Sequence, residues 1–152
     1  MGAVSYLATK GFSCALELGL QSWGKSRADV IGVNLKGKIV ICEIKSCASD
    51  FDTDNKARKW HKYHPFSHIG YFVTPDYLLD KRVGSAMIEA VKEHGWGIMV
   101  LDSNTGLMRV AVRCKHRNMA PKFRRHILTR LAWRGGISKR NFKPVRVYLN
   151  VA

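Results

Sequence analysis

The sequence predicts an α/β fold: a central mixed β-sheet flanked by helices. Three observations carry that prediction. Short apolar, β-branched runs recur at residues 29–35, 38–45, 69–73 and 98–101. Stretches with helical spacing separate them, as at residues 80–94. A chain of 152 residues with a hydrophobic fraction of 46% is large enough for one domain with a real core, and too apolar to stay disordered.

In chain order, residues 6–23 read as a helix, made apolar by Leu7, Ala15, Leu16, Leu18 and Leu20, with Gly11 and Gly19 weakening it. Residues 28–45 read as a β-hairpin about the turn Lys36-Gly37-Lys38. Residues 46–54, rich in Asp and Ser, read as a loop. Asp54 then suits the cap of a helix running to about Tyr63. The strand at 69–73 is stopped by Thr74-Pro75. Asp80 suits the cap of a helix to His94, with Val83, Met87, Ile88 and Val91 as its apolar stripe. Gly95-Trp96-Gly97 ends it. A strand at 98–101, a turn at 102–106 and a strand at 107–114 follow. Pro121 fits the first position of a last helix reaching about Trp133, closed by Gly135-Gly136, with Phe123, Ile127, Leu128 and Leu131 as its buried stripe. No repeat, low-complexity tract or linker divides the chain. Residues 1–152 therefore read as one domain. Residues 135–152 form a basic C-terminal extension, in which 145–151 could add an edge strand.

Charge separates along the chain. The net charge is +15, and all 11 acids lie at or before Asp102. From Arg109 onward there are 13 Lys or Arg and no acid. A surface built only for solubility would intersperse the two signs. This distribution points to a polyanionic partner, nucleic acid or an acidic membrane. The membrane reading ranks last, because no stretch is long and apolar enough to span a bilayer and no helix sets a strong apolar face against a cationic one. The N-terminus lacks a basic start followed by an apolar block, which argues against a signal peptide. Tyr6 stands where a myristoylation motif wants Ser or Thr. Four cysteines, Cys14, Cys42, Cys47 and Cys114, lack CxxC spacing and read as reduced thiols in a cytoplasmic setting.

The chemistry concentrates in Asp29, Glu43 and Lys45. Charges inside an apolar strand are costly unless they react or find partners. Glu43 and Lys45, two apart, share a strand face roughly 7 Å apart at their Cα atoms. The hairpin turn brings Asp29 beside them. Paired carboxylates suit a hard divalent cation, and a neighbouring ammonium can position an attacking water.

Asp29 followed by Glu43-Ile44-Lys45 on the next strand resembles the D…(D/E)xK signature of the PD-(D/E)XK nuclease superfamily. Together with Arg27-Ala28-Asp29-Val30, Ser46, Asp50-Phe51, Asp54, Lys59-Trp60 and Tyr63, the string looks like the MmcB-type DNA-repair branch of it. The resemblance covers about residues 14–75, with Asn55 to Arg58 standing as extra residues before Lys59-Trp60. It implies a restriction-endonuclease-like core and a metal-dependent DNA nuclease that leaves a 5′-phosphate. It further implies Mg²⁺ or Mn²⁺ held by Asp29, Glu43 and the main-chain carbonyl of Ile44, with Lys45 orienting the water. Glu17 is either a water-mediated contact to that metal or a salt-bridged surface residue. Lys59, with Lys56 as its competitor, is the polar residue facing the site from the following helix. Small members of the superfamily often dimerise. Archaeal-type Holliday-junction resolvases are the closest variant, and a non-catalytic nucleic-acid-binding protein on the same fold is the alternative from another class.

The remaining candidates carry two readings each. Asp50 and Asp54 are helix caps, or they serve a second metal or orient Lys59. Trp60 and Tyr63 pack in the core or stack on bases. His61, His64 and His68 do not hold one helical face, so a solvated basic loop is preferred over zinc. Lys122, Arg124, Arg125, Arg130 and Arg134 on the last helix, extended by Lys139 and Arg140, are expected to contact phosphates of DNA, with RNA an open alternative. No element resembles a base reader, so backbone- or structure-selective recognition is expected.

Overall fold

The computed structural model describes residues 2–21, 26–80 and 82–135. Among these residues a six-stranded mixed sheet carries a short helix on one face and three longer helices on the other, with a further single-turn helix after the fourth strand. The strands lie in chain order: β1 (Phe12–Gly19), β2 (Arg27–Asn34), β3 (Ile39–Ile44), β4 (Ile69–Pro75), β5 (Gly97–Leu101) and β6 (Met108–Val112). β1, β2 and β3 form an antiparallel meander. β4 and β5 run parallel to β3, and β6 turns back antiparallel.

The hairpin of the site forms as expected. Val30 lies opposite Cys42, so Asp29 falls opposite Glu43. Its turn uses Gly37 at φ 69°, while Asn34 Oδ1 accepts the Lys36 and Lys38 N–H groups at 3.1 and 2.9 Å. Strand alternation puts Glu43 on the face of Ile39 and Ile41. That face carries the main core, where Phe51, Trp60, Tyr63, Phe66, Met87, Val91, Trp96 and Ile127 pack. The helices α2 (Ala48–Lys56), α4 (Arg82–His94) and α5 (Pro121–Gly135) cover it. On the opposite face α1 (Gly2–Thr9) packs Ala3 and Leu7 on Val30, Val40, Cys42, Val73 and Met99.

Several elements differ from the sequence reading. The helix expected over residues 6–23 is instead α1 and β1. Gly11, at φ 77°, ends α1. The apolar residues Leu16, Leu18 and Leu20 also satisfy a period of two, and pairing with β2 decides between the two periods. Of residues 46–54, read as a loop, 48–54 are helical, because burial of Phe51 draws them into α2. Asp54 lies in the last turn of α2 and caps nothing. Lys59 and Trp60 sit in a 3₁₀ turn (Lys59–Lys62) after Arg58, whose φ is 46°. Asp80 closes a short α3 (Asp76–Leu79). The strand expected at 107–114 spans Met108–Val112. Of the expected α5 stripe, Leu128 is exposed, Phe123 and Leu131 are half-buried, and Ile127 is fully buried. The edge strand proposed at 145–151 lies outside the described residues. So does most of the basic extension.

Candidate active site

The site forms where β2 begins and β3 ends, under α2 and the 3₁₀ turn. Asp29 and Glu43 face each other across the hairpin and are stitched by backbone. The Ile44 N–H donates to Asp29 Oδ2 at 2.7 Å, and the Asp29 N–H donates to Glu43 Oε1 at 3.3 Å. Glu43 is 1% exposed and Lys45 2%. Burying such groups is unfavourable without partners. The partners come from α2, where Asp50 and Asp54, four residues apart, share a helix face. Lys45 Nζ lies 2.5 Å from Asp54 Oδ2 and 3.6 Å from Asp50 Oδ1. Lys59 Nζ bridges Asp54 Oδ2 at 3.1 Å and Glu43 Oε2 at 3.3 Å.

Three of the expected site residues thus converge: Asp29, Glu43 and Lys45. Lys59 joins them, whereas Lys56 is exposed at the end of α2. Asp54 is the member whose role the sequence left open. It holds both lysines, which rules out a capping role. Burial, followed by the charge of Asp29, pushes the Glu43 carboxyl up to about 7. Burial alone would lower the Lys59 ammonium, but Glu43 and Asp54 outweigh it and raise it above the usual lysine range. Burial pulls the other way at Asp54 too. There the Lys45 and Lys59 hydrogen bonds prevail and hold the carboxyl below the usual range.

Glu17 is not on a helix. It lies in β1 at φ 55°, between the Leu16–Val30 and Leu18–Ala28 pairs, hence opposite Asp29. Its carboxylate takes Arg27 Nε at 2.7 Å on an exposed surface. This matches the salt-bridged reading of Glu17. The Arg27 carbonyl in turn accepts the Tyr63 hydroxyl at 3.1 Å. Trp60 and Tyr63 are core residues rather than exposed stacking surfaces. Of the three histidines, His61 is exposed, as a solvated segment would have it, while His64 and His68 are half-buried. Trp60 stacks between His61 and His94 at 3.8 and 3.7 Å, and His68 Nδ1 accepts the Ile39 N–H at 3.0 Å.

Among the described residues, no group of three or more His, Cys, Asp or Glu side chains is placed to hold a metal. The donors that exist are two carboxylates and the backbone at Ile44. Mg²⁺ is commonly held by one or two carboxylates and keeps several waters, so this set suits it. Glu43 Oε2 supports the fit: it is buried and makes no hydrogen bond, although Lys59 lies near it.

On α5, Lys122, Arg124, Arg125 and Arg134 are exposed and Arg130 is half-buried. Arg124 donates to the Lys36 carbonyl at 3.1 Å, and Arg134 to the Glu17 carbonyl at 2.7 Å. Both tie α5 to the strands of the site. Lys139 and Arg140 lie outside the described residues. No described helix is long and apolar enough to cross a membrane.

The family model described as DNA repair protein MmcB-like matches residues 1–140. The chain belongs to the MmcB-like DNA repair protein family. Members of that family have the restriction-endonuclease-like fold, in agreement with the mixed sheet and its flanking helices. Membership gives the chain a DNA-related role. Among solved structures, the SPO1766 protein of unknown function from Silicibacter pomeroyi is similar, with a TM-score of 0.65 and 21% identity. The alignment covers 87% of this chain and 85% of that one, and it speaks for the fold alone. No curated protein matches the chain.

Proposed function

We propose that this MmcB-like chain is a metal-dependent nuclease that hydrolyses phosphodiester bonds of DNA, selecting backbone or structure rather than sequence. The observation that carries the reading is the convergence of Asp29, Glu43 and Lys45 on one sheet face, with both lysines locked by Asp54. Asp29, Glu43 and the Ile44 carbonyl would hold Mg²⁺ or Mn²⁺. When bound, such an ion polarises the scissile phosphate and lowers the pKa of a coordinated water.

Every other part belongs to the chain. Lys45, fixed by Asp54 and Asp50, orients the attacking water and offsets charge on the five-coordinate phosphorus. Lys59 would meet a phosphate oxygen. Asp54 holds both ammonium groups in place. The acid-free α5 supplies sequence-independent affinity.

The test is incubation of supercoiled plasmid, linear duplex and branched DNA, with RNA alongside, in Mg²⁺, Mn²⁺ or EDTA. Cutting should require metal and should fall about 10²–10³-fold or more in Glu43→Ala and Lys45→Ala. Nicked against linear products distinguish one-strand from two-strand cutting, the latter expected of a dimer. Tight, salt-sensitive binding with no cutting of any substrate overturns the nuclease reading and leaves a DNA-binding module on a nuclease fold.

A further inference from the structure

A cleft of about 590 Å³ opens where the last turns of α5 lean on the end of β1. Leu18 and Gly19 line one wall, and Arg130, Trp133 and Arg134 line the other. Its volume lies in the range of sites that enclose a small molecule. Arg130 is half-buried there. It makes neither a hydrogen bond nor an ion pair with any described residue. Its guanidinium lies over Gly19, where an added Cβ would stand 3.2 Å from the terminal nitrogen.

Two carbonyls at this end of the strand already have donors from α5. The Glu17 carbonyl is taken by Arg134, and the Leu20 carbonyl by a His126 ring N–H at 2.8 Å. No acid exists on α5. A partly desolvated guanidinium with no acceptor among the described residues favours an external anion, and the half-exposed indole of Trp133 stands on the same wall. The cleft is also close to the chemistry. Leu18 is one residue from Glu17, which lies opposite Asp29. Leu18 and Glu43 both project from the core-bearing face, two strands apart, about 10 Å by strand spacing.

We propose that this cleft holds an unpaired nucleotide of the DNA strand, its phosphate on Arg130 and its base against Trp133, beside the point of cleavage. The inference rests on the nuclease reading and names its substrate class: DNA carrying a single-stranded segment, such as a gap, flap or branch. A base stacked on Trp133 must leave the stack of a duplex.

The test is binding, not cutting. Fluorescence anisotropy in EDTA compares a short single-stranded oligonucleotide with the blunt duplex of the same sequence. Arg130→Gln and Trp133→Ala should each weaken single-strand binding roughly 10-fold, in line with the removal of one phosphate or stacking interaction. Trp133→Ala should change duplex binding by less than about twofold, a margin well inside the effect of one stacked base, while Arg130→Gln, on the basic face of α5, should cost single-strand binding more than duplex binding. Trp133→Phe should restore most of the loss, which a merely misfolded variant would not do. Lys92→Gln on α4 removes one charge elsewhere and should spare both. Equal losses on both DNAs, or none, overturn the proposal while leaving general DNA binding intact. Failure of the wild type to bind either DNA overturns it together with the DNA reading. Absence of metal-dependent cutting leaves this assay untouched.

Discussion

Glu43 shows how a single residue trades stability for chemistry. Its carboxyl is buried, and its folded pKa of about 7 exceeds its ordinary value of 4.5. Between those two pH values the folded chain binds more protons than the unfolded one. Its contribution to stability is therefore greatest in acid, declines as pH rises toward 7, and is flat above. Glu43→Gln removes that slope. In EDTA at pH 8, urea melts should show the variant as stable as the wild type or more stable, by about 1–3 kcal/mol, even though cleavage is lost. A variant clearly less stable at pH 8 would show that the ionised carboxylate is held favourably after all. Asp29, Glu43 and Lys45 are legible in the sequence because strand pleating and a short turn fix their relative placement whatever the rest of the fold does. Asp54 is not. Its role depends on where a Ser- and Asp-rich segment turns helical, and that is decided by Phe51 reaching a core built from distant strands.

At the scale of elements, the β2–β3 hairpin sets the site, and its turn depends on backbone freedom. Gly37 sits at φ 69°, with the Arg124 guanidinium packed where a side chain would project. Gly37→Ala should cost about 1 kcal/mol by the strain of a left-handed residue and should shift Arg124 off the Lys36 carbonyl. Denaturant unfolding measures the first effect. A melting profile identical to the wild type would contradict it. The ambiguity of residues 6–23 belongs to this scale as well. Leu16, Leu18 and Leu20 fit either period, and only the availability of β2 as a partner settles the matter. Nothing local announces that the strand changes face at Glu17, sending Leu16 toward α1 and Leu18 into the main core.

Across the whole molecule, the two signs of charge occupy different places. Acids gather around β3 and α2, while α5 presents Lys122, Arg124, Arg125, Arg130 and Arg134 with none. Affinity for duplex DNA should therefore fall linearly in log–log plots against salt. Replacing Arg124 and Arg125 by Gln should reduce the slope by about 2, close to one unit for each phosphate no longer neutralised. An unchanged slope, measured by anisotropy titrations between 50 and 200 mM salt, the interval over which such contacts act, would move the DNA track off α5. The Glu17 kink has one more consequence. An outermost strand normally offers neighbouring chains a template for β-augmentation and fibril growth. Here the ladder is interrupted midway, and α5 has already claimed two carbonyls near its end, so cross-chain polymerisation meets a blunted border.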